Sequence, residues 1–283
     1  KRIRYIENEK NIQLIDTLNK GIELAKGKYI VRMDCDDISL PLRLEKQVEF
    51  MENHPEIAVS GTHLKTIGSG ISSVWKTAET YNEILCNMVF NSALNHPTVI
   101  FRKETLGRDL FYSKDYPHAE DYELWFRLSQ NYKLANISEV LYLYRIHSEQ
   151  VTKKFDDIKT QSANKVRNSL LLKIMPNASD EEINFHLDCV SKINFKSELN
   201  LKLTLHWFEK LFQSNNTTKY LDEKALKIVL TEKWVFICLS NRNILFWLKS
   251  ILYSITNKYV FSTYHLIKIP VQVVYRYFIR MFK

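Results

Sequence analysis

Glycine and proline are scarce in this chain, six of each among 283 residues. That scarcity argues against a turn-dense all-β protein and for long helices. The four cysteines, Cys35, Cys86, Cys189 and Cys238, are scattered, without the paired spacings of zinc or redox sites. They read as reduced thiols of a cytosolic protein. The chain opens Lys1-Arg2-Ile3-Arg4, with neither an initiator methionine nor a signal peptide. Acidic residues are missing from 233–283, which hold eight Lys and Arg. No apolar run of about 18 residues there escapes a charge, which argues against a spanning helix.

An apolar fraction of 45% with 12% aromatic residues is enough for a real core and excludes a disordered tail. Charge is unevenly placed. Residues 1–150 carry 19 Lys and Arg against 21 Asp and Glu, whereas 151–283 carry 21 against 11. The two halves therefore have different partners in prospect.

Residues 1–150 alternate strand-like and helix-like segments, which predicts an α/β domain with a mainly parallel sheet. Arg4-Tyr5-Ile6-Glu7 reads as a strand end. Asn11 is placed to cap a helix with Ile12, Ile15, Leu18, Ile22 and Ala25 on one face, closed by Gly27. Residues 29–33 form a mostly apolar run of the kind found in a buried central strand. Pro41 then opens a helix expected to turn Leu44, Val48 and Met51 inward. Strand-like runs follow at 57–60 and 98–102, a helix near 120–130, and a β pair at 133–137 and 140–146. From 151 the pattern is helical, at 158–174, 180–192, 199–213 and 221–230. The expected division is an α/β domain over 1–150, a helical region over 151–232 and basic aromatic helices over 233–283.

Asp34-Cys35-Asp36-Asp37 stands at the carboxyl end of a strand, where open α/β sheets bind ligands. Carboxylates so close repel one another unless a cation or hydrogen-bond donors compensate. A hard divalent ion shared with a diphosphate would do so; an acidic turn capping the next helix is the plainer alternative. Glu120-Asp121 opens a helix. There the helix dipole alone favours carboxylates, or one of them serves as a general base. Tyr144-Arg145-Ile146-His147 ends a strand, with Arg145 suited to phosphate and His147 to a metal or phosphate, or simply to a loop.

Taken in order, these pieces resemble glycosyltransferase family 2. The resemblance is carried by Asn19-Lys20-Gly21, Ala25-Lys26-Gly27-Lys28-Tyr29-Ile30 and Arg32-Met33-Asp34-Cys35-Asp36-Asp37. It continues through residues 40–47 (Leu40-Pro41-Leu42-Arg43-Leu44-Glu45-Lys46-Gln47), Asn95-His96-Pro97, Glu120-Asp121 and Tyr144-Arg145-Ile146-His147. It implies a GT-A fold, a Rossmann-like sheet that binds a nucleoside-diphosphate sugar, and an inverting, metal-dependent transfer to a glycan or lipid-linked acceptor. On that pattern Asp34, with Asn19, Asp37, Arg32 and Arg145, lies on the donor side. Asp36, with His147, holds Mn²⁺ or Mg²⁺, and Asp121, beside Glu120, is the base. Leu42 departs from the pattern, which has an acidic residue there. The family's first strands and nucleobase-binding turn are expected before Lys1, so the domain is expected to lack its opening.

Twelve aromatic residues accompany the eight cations of 233–283. That combination suits peripheral contact with an anionic membrane surface, on the inner face of the plasma membrane, or else helices packed on a core. No nucleic-acid motif is present. Two rivals remain at this stage, a metal-dependent nucleotidyltransferase and a truncated relative that only binds a membrane or partner.

Overall fold

The computed structural model describes residues 3–68, 72–147, 155–191, 198–240 and 260. It divides into two units. The first comprises Lys1–Ile84 and Ser92–Val166, and the second Leu85–Asn91 and Arg167–Lys283. Much of the basic aromatic tail, 241–259 and 261–283, lies outside the described residues. No helix among the described residues is long and apolar enough to cross a membrane.

The first unit contains α1 (Gln13–Leu24), β1 (Tyr29–Val31), β2 (Ile38–Ser39), α2 (Arg43–Asn53), β3 (Ile57–Ile67) and β4 (Val74–Trp75). After α3 (Tyr81–Met88) come β5 (Ile100–Arg102), α4 (Lys103–Leu106), α5 (Glu120–Ser129), β6 (Lys133–Arg145) and α6 (Asp156–Ile174), with α3 and α6 each divided between the two units. The sheet runs in the order β1-β5-β3-β6-β2, with β4 also on β3. The α/β class and the helical second half are as expected, but the strand directions are not. Four of the five described pairings are antiparallel, and only β3 with β6 is parallel. Alternation of strand and helix in sequence fixes which elements occur. It does not fix direction, least of all for strands of two or three residues such as β2, β4 and β5.

Other expectations also change. Lys133–Arg145 is one strand, not a pair, because Ser138-Glu139 lacks turn chemistry and is absorbed as an irregularity in the long ladder with β3. β3 runs on to Ile67, since its Ser, Thr and His residues are buried along with its apolar ones. Gly61 permits the close approach of β6, where a Cβ would collide with the Asn136 amide oxygen. β1 stands at an end of the strand order and is only half-buried. Arg4–Glu7 joins no strand, and Tyr5 is exposed. On α1 only Ile22 is buried, although Asn11 does accept from the Gln13 N–H at 2.9 Å, near the helix start.

Helix α2 shows the clearest reversal. Leu44 and Val48 face outward at 55% and 37% exposure, and the buried face is Arg43, Gln47 and Met51. Their i, i+4, i+8 spacing makes one stripe. The Arg43 guanidinium lies over the Tyr142 ring at 4.8 Å and donates to the Arg32 carbonyl at 2.8 Å and to Gln47 at 2.9 Å. Gln47 in turn donates to the Thr98 carbonyl at 2.7 Å. A polar stripe is buried because each member has a partner. Burial holds the Arg43 guanidinium down to about 10. Met51 meets Ile57, Ile100 and Ala135 in a small core under the sheet.

The second unit adds α7 (Asp180–Ser191), α8 (Glu198–Thr218) and α9 (Glu223–Ser240). Its core gathers Phe90, Trp207, Phe208, Leu211 and Trp234. His186 is buried there between the Val89 carbonyl at 3.0 Å and the Trp207 Nε1–H at 3.2 Å. Burial lowers it to about 4, so it is a neutral packing residue.

The α2 stripe is tested by comparing Arg43→Ala with Leu44→Ala in chemical denaturation. Arg43→Ala should cost about 2–4 kcal/mol, because it leaves the Arg32 carbonyl and Gln47 without their donor. Leu44→Ala should stay within about 0.5 kcal/mol. Equal losses would contradict the inward polar face.

Candidate active site

The acidic turn leaves β1 through Arg32, whose N–H donates to the Val99 carbonyl at 3.0 Å. Arg32 then folds back on Asp34, with Nη1 to Oδ2 at 2.8 Å and Nη2 to Oδ1 at 2.5 Å. The Asp34 N–H donates to the Tyr142 hydroxyl at 3.1 Å, and the Asp37 N–H to the Asp34 carbonyl at 3.4 Å. Burial raises the Asp34 carboxyl, and the charge of Arg32 opposes that shift. Asp37 is buried and raised by the same cause, although it accepts from the Arg145 N–H at 2.7 Å.

Asp36 differs from its neighbours. Its carboxylate is 41% exposed, and His147 Nε2 lies 3.0 Å from its Oδ2. Arg145 Nε donates to the Asp36 carbonyl at 2.7 Å and so fixes the turn from the end of β6. The carboxylate next to His147 is therefore the one aimed outward.

Glu120 begins α5 and is buried at 6% exposure. Burial first, and then the charge of Asp121, push its carboxyl up to about 7. The helix dipole would pull the other way, and desolvation wins. Asp121 is raised by burial as well, and Ser92 Oγ donates to it at 3.4 Å. Behind the pair, the Tyr112 hydroxyl lies 2.8 Å from His96 Nε2. Burial holds His96 well below its ordinary value, so its ring is neutral where it meets the hydroxyl.

A cleft of about 940 Å³ in the first unit brings these groups together. Arg32, Asp34, Asp36, Glu120 and His147 line it, together with the start of α1 and Phe155. Four expected residues stand outside its lining. Asp37 and Arg145 brace the turn, and Asp121 stands beside Glu120. Asn19 exchanges hydrogen bonds with the Tyr112 backbone at 2.8 and 3.0 Å. Asn19 thus fastens α1 to the loop before α5.

Tyr142, Arg43, His96 with Tyr112, and the α1 wall are site elements that motif reading passes over. The Asn95-His96-Pro97 and Leu40–Gln47 blocks contained two of them without showing their roles. No group of three or more His, Cys, Asp or Glu side chains among the described residues is placed to hold an ion by itself. Asp36 with His147 supplies one carboxylate and one imidazole. That donor set fits Mg²⁺ or Mn²⁺ only when phosphate oxygens and water complete the shell, as is usual for such ions.

A profile of glycosyl transferase family 2 matches residues 1–109. An uncharacterized glycosyltransferase of Haemophilus influenzae is 32% identical over 214 residues, 68% of this chain and 66% of the relative. The amylovoran biosynthesis glycosyltransferase AmsE of Erwinia amylovora is 35% identical over 148 residues, 52% of this chain and 55% of that protein. Among solved structures, S. aureus TarS 1–349 in complex with UDP-GlcNAc aligns over 79% of this chain and 68% of its own. The identity there is 15% and the TM-score 0.42. The chain belongs to glycosyl transferase family 2. Its match spans about half to two thirds of the length of these two curated relatives.

Glu120 carries a pH test that needs no substrate. Its carboxyl binds a proton more tightly in the folded chain than in the unfolded one, so stability falls as pH rises from 4.5 to about 7. Glu120→Gln should therefore be more stable than the parent at pH 8, by on the order of 1–3 kcal/mol, and equal to it near pH 4.5. Thermal unfolding at both pH values decides the matter. A variant less stable at pH 8 would contradict the burial assigned to Glu120.

Proposed function

We propose that this chain is the catalytic part of an inverting glycosyltransferase that moves a sugar from a UDP-linked donor to a hydroxyl of a glycan or lipid-linked acceptor. The observation that carries the reading is one cleft flanked by two acid groups with different tasks. An exposed carboxylate sits against an imidazole at one place, and a buried, proton-retaining acid pair at another.

On this reading the donor's diphosphate lies at the Asp36 and His147 side, where those residues hold a Mn²⁺ or Mg²⁺ ion. The ion, when bound, offsets the charge that grows on the leaving diphosphate. Arg32 holds Asp34 in place through two contacts, and on this reading Asp34 lies beside the donor ribose. The acceptor hydroxyl gives its proton to the Glu120–Asp121 pair. Asp121 occupies the base position, and Glu120 forms the cleft wall. Burial raises both carboxyls, and the charge of Asp121 raises Glu120 further. Attack opposite the leaving group in a single displacement inverts the anomeric carbon. The Erwinia relative is named for amylovoran biosynthesis, which supports polysaccharide biosynthesis as the setting for the reaction, and the basic 233–283 segment suits contact with a membrane carrying a lipid-linked acceptor.

Asp36→Asn should abolish the part of donor affinity that depends on metal, because it removes the charge holding the ion. Calorimetric titration of UDP-sugar with and without Mn²⁺ measures this. Unchanged metal-linked affinity would remove Asp36 from the ion site. Asp121→Asn should leave donor affinity nearly intact and lower turnover by about 10²–10⁴-fold, with a smaller loss in Glu120→Gln. Normal turnover in Asp121→Asn, or an equal loss of donor binding, would reassign the base.

A further inference from the structure

The geometry points to a stacking platform for the acceptor's sugar ring, made by the paired rings of His118 and Phe155 beside the acid pair. The inference rests on the transfer reaction proposed above and locates its second substrate. The two rings lie face to face, with centroids 4.5 Å apart and planes 9° from parallel. Both line the cleft that holds Glu120 and Asp34.

His118 adopts a φ of +63°, a left-handed conformation that residues with a Cβ rarely enter and that collects at functional sites. The conformation serves two contacts at once. It brings the His118 backbone into hydrogen bonding with the Glu120 carboxyl, and it lays the imidazole on Phe155. Phe155 is 43% exposed, and Pro117, Leu14 and Ile15 extend the apolar wall. The stacked pair is thus joined through two residues to a buried acid.

A pyranose fits this surface. One face of the ring presents C–H groups to the electron-rich face of an aromatic ring, and its edge presents hydroxyls. A ring resting on His118 has those hydroxyls within reach of the acid two residues away, as proton transfer requires. A nucleobase also stacks on aromatic rings. Placing it here would put the nucleotide, instead of the attacking hydroxyl, against the proton acceptor.

Saturation-transfer NMR with a panel of methyl pyranosides on the full chain reads the platform without turnover. We expect saturation on the C–H face of at least one pyranoside. The signal should fall at least threefold in Phe155→Leu and in His118→Gly, since glycine keeps the left-handed backbone while removing the ring. If His118→Gly does not fold, Phe155→Leu decides alone, because that side chain is half-exposed. The proposal is overturned if no pyranoside is saturated in the parent chain, or if the signal persists in the folded variants. It is also overturned if the variants lose UDP affinity while keeping the pyranoside signal, which would make the platform a nucleobase site. UDP titration with Mn²⁺ on the same samples separates the two readings. A parent chain that holds pyranosides and not UDP contradicts the transfer reaction, and one that holds UDP and not pyranosides contradicts the platform.

Discussion

Carboxylates placed side by side in a partly buried cleft repel one another and lose water, and each must be compensated or take up a proton. The first unit is arranged around that constraint. Arg32 closes on Asp34 through two contacts, the Arg145 backbone meets Asp37, and the His147 ring faces Asp36. The turn is held from below by Tyr142, whose ring carries Arg43 and whose hydroxyl receives the Asp34 N–H. Glu120 is the acid left with the weakest compensation, and it keeps a proton up to about pH 7. One end of the cleft is thus suited to a cation and the other to accepting a proton. That difference comes from burial more than from residue type.

The family resemblance and the order of its motifs were legible because each motif is local. A strand followed by acids, an acid pair opening a helix, and Tyr144–His147 closing a strand can all be read within a few residues. Two of these meet in space as expected, the Asp36 turn and His147, although 111 residues separate them. The inward face of α2 was not legible. Leu44 and Val48 carry the apolar pattern, but the turn above needs donors, so Arg43 and Gln47 occupy the interior. Strand direction was hidden for a similar reason. A two- or three-residue strand such as β2 or β5 carries no pattern that tells parallel from antiparallel pairing.

Asn19 and Arg145 show how a motif residue can stand near the site with its side chain engaged by the protein itself. Each was read as a donor contact. In the fold, the Asn19 amide is engaged by the Tyr112 backbone, and Arg145 holds the Asp36 carbonyl. Arg145 braces the acidic turn, whereas Asn19 ties α1 to the loop before α5. A substitution at Arg145 would act by loosening the Asp36 turn, and one at Asn19 by loosening α1 from the Tyr112 loop.

The central claim is that Asp36 and His147 form half of an ion site that a diphosphate completes. Proton NMR of the imidazole resonances during titration with Mn²⁺, assigned with a His147→Gln variant, tests it most directly. The account predicts strong, selective broadening of the His147 signals when UDP is present, and weak broadening with Mn²⁺ alone, because two protein donors hold the ion poorly. Equal broadening across the histidines, or His147 signals indifferent to UDP, would contradict it.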